Sequence, residues 1–132
     1  MVATLMAVAF VAGTVFGQQT ADTRPGNRAE LLTTIDLGSE IEDMQGYELR
    51  VVRVTRDPDA VGSVGVMHSH KGNPIVAYVL QGTFTDHREG GKVTGYKAGE
   101  SVSFGKDLHW EENKGTTPLV FLAAAIRKRP AQ

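Results

Sequence analysis

From Leu31 onward the sequence is a succession of short apolar stretches separated by turn residues, without a convincing helical period. Residues 49–55 (LRVVRVT) are rich in β-branched side chains, and residues 75–80 (IVAYVL) form a continuous apolar run that ends at Gln81-Gly82. The 15 Gly and 5 Pro residues place turns at the regular spacing that is typical of β-sandwiches and small barrels. The sequence therefore predicts an all-β protein.

The apolar stretches extend to the end of the chain. Residues 83–87 lead into Glu89-Gly90-Gly91, a sequence typical of a hairpin turn. The run 119–126 (LVFLAAAI) contains three alanines and can be interpreted as a helix, but its length and its position among strands favour a strand. We expect one β-barrel domain over residues 30–127, with a solvated basic tail over residues 128–132.

The first segment has the character of a targeting sequence. Residues 1–16 are apolar and uncharged, and they are fewer than the roughly 20 that span a bilayer. Gly17, with Val15 two residues before it, suits cleavage by signal peptidase. The positive region of a signal peptide is missing, so either the true start lies upstream or the segment is an uncleaved anchor. We expect a signal peptide at 1–17, a linker at 18–29, and a periplasmic or secreted protein with no membrane association after cleavage.

Charge and composition exclude several classes of function. The 14 Lys and Arg residues balance 15 Asp and Glu residues, and the net charge of −1 argues against a nucleic-acid partner. Because the chain has no cysteine, it cannot form a disulfide scaffold, a thiol nucleophile, an iron–sulfur cluster or a thiolate zinc site. No nucleophile elbow and no glycine-rich phosphate loop occurs.

Three histidines are the best candidates for chemistry. His68 and His70 are two residues apart, so on a strand both imidazoles project from the same face, whereas on a helix they diverge by about 200°. His109 lies in another strand-like segment and can supply a third nitrogen. Three neutral imidazoles suit a divalent transition metal with open positions for water or substrate. By itself a His-x-His pair is more often two exposed residues of an edge strand.

Glycines flank these histidines at a fixed spacing. Five residues separate Gly62 from His68, and Gly82 closes the stretch HSHKGNPIVAYVLQG; further on, five residues separate Gly99 from Gly105, and three separate His109 from Asn113. The two stretches, in this order and at this separation, resemble the two motifs of the cupin family. The resemblance covers roughly residues 35–126.

The resemblance implies a cupin-type double-stranded β-helix, a jelly-roll-like barrel, with a metal held inside by His68, His70 and His109. The glutamate of the first cupin motif would fall at Pro74 or Ile75, and neither side chain binds a metal. A three-histidine site for Fe, Mn, Zn or Ni therefore remains, as in some cupin dioxygenases that use iron. Loss of the anionic ligand would favour an anionic or enolate-forming substrate.

Two functions stay open at this point. One is metal-dependent chemistry, dioxygenase-like or related, on a small oxygenated substrate. The other is a non-catalytic cupin module that binds a small molecule without metal, with the histidines as polar contacts. A third and weaker hypothesis is a structural subunit whose apolar outer face forms a dimer.

The alternation of side chains along a strand predicts which neighbours of the histidines face the site. With Ile75 facing inward, Ala77 and Val79 share its face and form an apolar cavity wall. On the last motif His109 and Glu111 share one face together with Asn113, so that Glu111 can orient an imidazole, although a solvated glutamate at a strand end is more common.

Other side chains are expected outside the site. Tyr78 and Trp110 alternate to the opposite face, where packing between sheets or between the subunits of a homodimer is the usual role. His87 is expected to be an exposed loop residue at the tip of the hairpin. Adjacent Glu111 and Glu112 point to opposite faces and cannot act as one acid–base pair.

Overall fold

A computed structural model of the chain describes residues 24–60 and 65–131. The predicted signal peptide and residues 18–23 of the predicted linker lie outside the described residues. No helix within the described part is long and apolar enough to cross a membrane.

The described residues form eight antiparallel strands in two sheets, which confirms the all-β prediction. The larger sheet has the order β1-β2-β8-β3-β6, and the smaller sheet has the order β5-β4-β7. A short 3-10 turn, Leu37–Ser39, follows the first strand. The strands are β1 Asn27–Asp36, β2 Tyr47–Arg56, β3 Ile75–Gln81, β4 Thr83–Arg88, β5 Val93–Lys97, β6 Ser101–Phe104, β7 His109–Glu112 and β8 Leu119–Lys128.

The alanine-containing run near the end of the chain is the central strand of the larger sheet. β8 pairs with β2 from Leu119 to Lys128 and with β3 on its other side. Because strands flank it on both edges, its backbone hydrogen bonds are satisfied by the sheet, and this outweighs the helix propensity of alanine. The strand interpretation is confirmed.

The hydrophobic core lies between the two sheets. Its aromatic centre is Phe84, whose ring centroid lies 5.6 Å from that of Phe104 and 5.0 Å from that of Phe121. Ala77 and Val79 are fully buried and Ile75 packs against the core, so the predicted inward face of this strand is confirmed. The buried apolar residues are Ala77, Val79, Phe84, Val102, Phe104, Leu119, Phe121 and Ala123.

Gly82 carries the chain from the larger sheet into the smaller one. Its φ of +77° lies in the left-handed region, and a Cβ placed there would lie 2.8 Å from the carbonyl oxygen of Pro118. Both facts require glycine, because a side chain would meet rigid backbone in a conformation that L residues disfavour. The glycine that closes the first motif is therefore needed for the crossover between the sheets.

Among the described residues, the first and last strands reach beyond residues 30–127 at both ends. β1 begins at Asn27, inside the predicted linker, where Asn27 pairs with Arg56 of β2. At the other end Arg127 contacts Glu48 at 2.7 Å and Arg129 contacts Asp36 at 2.9 Å. The basic end is thus tied to the larger sheet by ion pairs.

Candidate metal centre

His68 and His70 do not lie on a regular strand, so the predicted strand around them is wrong. His68 instead forms an isolated β-bridge with His109, with N···O distances of 2.9 Å in both directions. The backbone N–H of His70 donates to the carbonyl of Gly105 at 2.7 Å. The segment is therefore fixed by contacts to β7 and to the β6–β7 connection, which are distant in sequence and leave no periodic signal.

The three predicted histidines nevertheless come together. Their ring centroids are separated by 4.6 Å (His68–His109), 4.9 Å (His68–His70) and 5.1 Å (His70–His109). One ring nitrogen from each lies within 4.8 Å of the other two. Imidazole nitrogens at this separation can bind one metal ion with modest adjustment, because metal–nitrogen bonds are about 2.0–2.1 Å long for zinc.

The ring of His109 is oriented by a buried carboxylate. Its Nδ1 lies 3.0 Å from Oδ1 of Asp86, and both side chains are 1% exposed. A carboxylate only accepts, so Nδ1 carries the proton and Nε2 keeps its lone pair. Nε2 is buried and has no hydrogen-bond partner among the described residues. A ligand on Nε2 would satisfy this nitrogen.

His68 is held in the same tautomer by the backbone. Its Nδ1 lies 3.1 Å from the carbonyl oxygen of Val66, and that oxygen can only accept. In neutral His68 the lone pair is therefore on Nε2, which lies 3.1 Å from Nε2 of His70. His70 must donate in that contact, so its proton has to move to Nδ1 before Nε2 can bind a metal.

The surroundings of the site lower the pKa of two of its groups, His70 and Asp86. Burial first, and repulsion from His109 and His68 second, together lower the pKa of His70 from its ordinary value of 6.5 to about 4. His70 is thus neutral at neutral pH. Burial acts to raise the pKa of Asp86, but hydrogen bonds from His109 and Arg88 outweigh it, so this pKa lies below its usual range.

Arg88 and Phe104 complete the surroundings. Nε of Arg88 donates to Oδ2 of Asp86 at 2.6 Å, and its guanidinium lies 5.1 Å from the ring centroid of Phe104. The Phe104 ring stacks on His109, with centroids 4.0 Å apart and planes inclined by 13°. Sequence reasoning missed both residues of the Asp86–Arg88 pair, although alternation with buried Phe84 on β4 predicts that they face inward.

Glu111 differs from its expected role as a solvated residue. It is 8% exposed, and its Oε1 accepts from Arg56 Nη2 at 2.6 Å. Asp86, and not Glu111, forms the carboxylate contact to His109. The sequence places Glu111 on the correct face but cannot show that a buried arginine from β2 lies opposite.

His87 is also different from its expectation as an exposed loop residue. It lies within β4, on the face opposite to Asp86, and its Nε2 is 2.7 Å from Oε1 of Glu112. Its ring stacks on Trp110 with centroids 3.8 Å apart and planes inclined by 3°. The cross-strand pairing of β4 with β7 produces this contact.

Comparison with known proteins assigns the family. The family model "Cupin_2: Cupin domain" matches residues 55–125, more than half of the chain, and the protein belongs to this family. None of the curated proteins matches the chain. Cupin domains commonly bind small molecules and often bind metals.

Solved structures share the fold. KdgF from Halomonas sp. is 23% identical with a TM-score of 0.60, covering 83% of this chain and 84% of its own. A Cupin_2 domain of an XRE family transcriptional regulator from Enterobacter cloacae is 15% identical with a TM-score of 0.57, covering 80% and 99%. A predicted oxalate decarboxylase from Thermotoga maritima is 28% identical with a TM-score of 0.50, covering 66% and 89%. Cupin neighbours thus include both enzymes and regulators.

Proposed function

We propose that this cupin binds one divalent transition metal through His68, His70 and His109 and holds a small oxygenated molecule at that metal. The observation that carries the proposal is Nε2 of His109, which is buried and has no hydrogen-bond partner within residues 24–60 and 65–131. Asp86 holds the proton on Nδ1 of the same ring, and the other two imidazoles lie close by. Three neutral ligands leave coordination positions for a substrate.

The surroundings of the histidines fit a metal centre. A ligating imidazole usually donates its second nitrogen to a carboxylate or a backbone carbonyl, which fixes the ring and raises its basicity. His109 has the carboxylate of Asp86, and His68 has the carbonyl of Val66. Two of the three rings are therefore already in the tautomer that a metal requires, and only His70 has to exchange its protonated nitrogen.

When bound, the metal would supply Lewis-acid polarisation of a carbonyl or carboxylate oxygen or, if it is iron, dioxygen activation. The chain itself orients the imidazoles and keeps them neutral. Arg88 holds Asp86 from the second side, so the carboxylate cannot rotate away from His109. Imidazole ligands accept Fe, Mn, Zn and Ni, and metal availability decides among them.

A second candidate is a cupin module that binds a small molecule without metal. The contact of 3.1 Å between Nε2 of His68 and Nε2 of His70 favours it, because this hydrogen bond satisfies two of the ligand atoms within the protein. In that case His109 Nε2 would accept a hydrogen bond from the bound molecule.

Elemental analysis of untagged, freshly purified protein separates the two candidates. We expect close to one equivalent of a transition metal in the wild type and a large loss in His68→Ala. His87→Ala is the matched control, since this histidine faces away from the site, and we expect it to retain the metal. Metal below about a tenth of an equivalent, unchanged by His68→Ala, would leave only the metal-free module.

We also propose export and self-association. The uncharged apolar segment of residues 1–16 supports cleavage near Gly17 and a periplasmic or secreted location. Exposed Val76, Tyr78 and Leu80 on β3 support a homodimer that covers this strand's outer face. Intact mass of the exported protein and light scattering over a concentration series test the two proposals separately.

A further inference from the structure

A charged cleft opens beside the histidine cluster, at the end of the barrel where three connections meet. These are the segment after His70, the β4–β5 turn and the β6–β7 connection. The cleft has a volume of about 730 Å³ and is lined by Lys71, Arg88, Glu89, Lys92, Lys106, Asp107 and Leu108. Four of these side chains are cationic and two are anionic, so the cleft carries a local excess of two positive charges in a chain whose net charge is −1.

The cationic groups of the cleft are available to a ligand. Lys71, Lys92 and Lys106 are exposed, and none of them lies within ion-pair distance of a carboxylate in residues 24–60 and 65–131. Glu89 and Asp107 offset part of this positive charge, and an excess of two cationic side chains remains around the concavity. An anion bound in the cleft would meet this positive potential.

Arg88 differs from the lysines of the cleft because hydrogen bonds fix its guanidinium. Its Nε donates to Asp86 at 2.6 Å, and its Nη2 donates to the carbonyl of Ser103 at 3.1 Å. Its guanidinium, with the side chain only 22% exposed, is therefore fixed while it lines the cleft. A fixed guanidinium presents its remaining N–H groups to an oxyanion with little loss of side-chain entropy.

Backbone hydrogen bonds join the three connections. The N–H of His70 donates to the carbonyl of Gly105, and the N–H of Glu89 donates to the carbonyl of Leu108 at 3.3 Å. Within the β4–β5 turn, the N–H of Arg88 donates to the carbonyl of Lys92 at 2.8 Å. The backbone on which the lysines of the cleft are mounted is therefore fixed by hydrogen bonds.

From these observations we propose that the cleft formed by Lys71, Arg88, Lys92 and Lys106 binds the oxyanion group of a small molecule, either a carboxylate or a phosphate. The geometry also links this group to the histidines, because Arg88 contacts Asp86, which contacts His109. The inference stands whether or not a metal is bound.

Isothermal titration calorimetry of the full chain tests the proposal, with sodium phosphate and sodium succinate as separate probes at constant ionic strength. We expect saturable binding of at least one probe near one equivalent. Lys92→Glu with Lys106→Glu should weaken it by about ten-fold or more. Lys97→Glu is the matched control, because Lys97 is an exposed lysine at the other end of β5. It should change the affinity by less than about two-fold.

The identity of the better probe assigns the class of oxyanion, and binding of either one supports the cleft. No saturable binding up to about 50 mM would overturn the proposal. An equal loss in Lys97→Glu would overturn it too, since the effect would then come from overall charge. In a parallel titration, His68→Ala should retain anion binding. Loss in His68→Ala with retention in the double lysine variant would place the anion at the histidines instead.

Failure of this proposal and failure of the metal proposal give different results. Metal content is measured on the protein as purified, without any added anion. A protein that contains metal but does not bind either probe contradicts only the cleft. A protein that binds a probe but contains no metal contradicts only the metal centre.

Discussion

Each face of the β4–β7 ladder places a histidine against a carboxylate, but the two histidines use different ring nitrogens for this contact. On the inner face, His109 contacts Asp86 through Nδ1 and keeps a buried Nε2 without a partner among the described residues. On the outer face, His87 uses Nε2 to contact Glu112 and stacks its ring on Trp110. The two pairs therefore differ in which ring nitrogen contacts the carboxylate and in the surroundings of the second ring nitrogen.

This difference shows what distinguishes a candidate metal ligand from a structural histidine in this protein. Strand alternation alone generates both pairs, because neighbouring residues on β4 and β7 point to opposite faces. Only the inner pair meets two further imidazoles, which are brought by the segment bridged to His109. A carboxylate beside a histidine is thus not enough to make a candidate metal site. The second ring nitrogen must also lie close to the nitrogens of other imidazoles.

The largest effect should come from exchanging the inner histidine for glutamine. His109→Gln fills similar space and its amide can still donate to Asp86, but it removes the imidazole ligand. We expect metal affinity to fall by more than about 100-fold, whereas His87→Gln on the outer face should leave it unchanged. Metal competition titrations with a chelator of known affinity measure both. Equal losses in the two variants would mean that the inner face is not special.

The carboxylates allow a second test of the same comparison. Asp86→Asn removes the charge that fixes the Nδ1 proton of His109 and leaves Arg88 without its anionic partner. We expect metal affinity to fall by about 10–100-fold. Glu112→Gln, the outer counterpart, should affect only stability, by about 1 kcal/mol, since it weakens one partly buried contact. An unchanged affinity in Asp86→Asn would show that the carboxylate does not orient a ligand.

Acid should affect the inner face through His70. Its pKa is lowered by burial and by the neighbouring histidines to about 4, so between the ordinary value of 6.5 and about 4 the unfolded chain binds a proton that the folded chain does not. The free energy of unfolding of metal-free protein therefore falls as pH decreases through this window, and this group causes no further loss below it. Urea unfolding at several pH values measures the slope.

The control for this pH dependence is His70→Gln, which should flatten the slope between pH 6.5 and about 4, while His87→Gln keeps the contribution of His70. Metal loading of the wild type should fall in acid as well, because ligation requires neutral imidazoles. A loading that stays constant from about pH 8 to about pH 5 would contradict histidine ligation.

Sequence reasoning predicts the parts of this molecule that depend on local pattern. Most of the strands, the inward face of β3 and the meeting of His68, His70 and His109 follow from alternation, turn residues and motif spacing. Contacts between distant strands leave no local pattern. For this reason the sequence does not reveal Asp86 as the partner of His109 or Arg56 as the partner of Glu111.

The same limit explains two expectations that the structure contradicts, one on the β4–β7 ladder and one beside it. His87 follows Asp86 and precedes Arg88, a polar sequence that resembles a hairpin tip. Only the pairing of β4 with β7 turns it into a packed strand residue beside Trp110. Likewise, the His-x-His spacing predicts convergence correctly, but through a strand that the structure replaces with an isolated bridge.

The smallest expected effect concerns Ile75, one of the two positions at which the resemblance to the cupin motif would place a glutamate. Ile75 opens β3, packs against the core and pairs with Phe104, whose ring stacks on His109. Ile75→Glu should therefore bring an anionic oxygen toward the imidazoles and strengthen metal retention by a few-fold, about 1 kcal/mol after the cost of burying the carboxylate is subtracted. Ile35→Glu, at an exposed position on the edge strand β1, is the control and should leave retention unchanged. If Ile75→Glu retains metal no better than Ile35→Glu does, Ile75 does not occupy the ligand position.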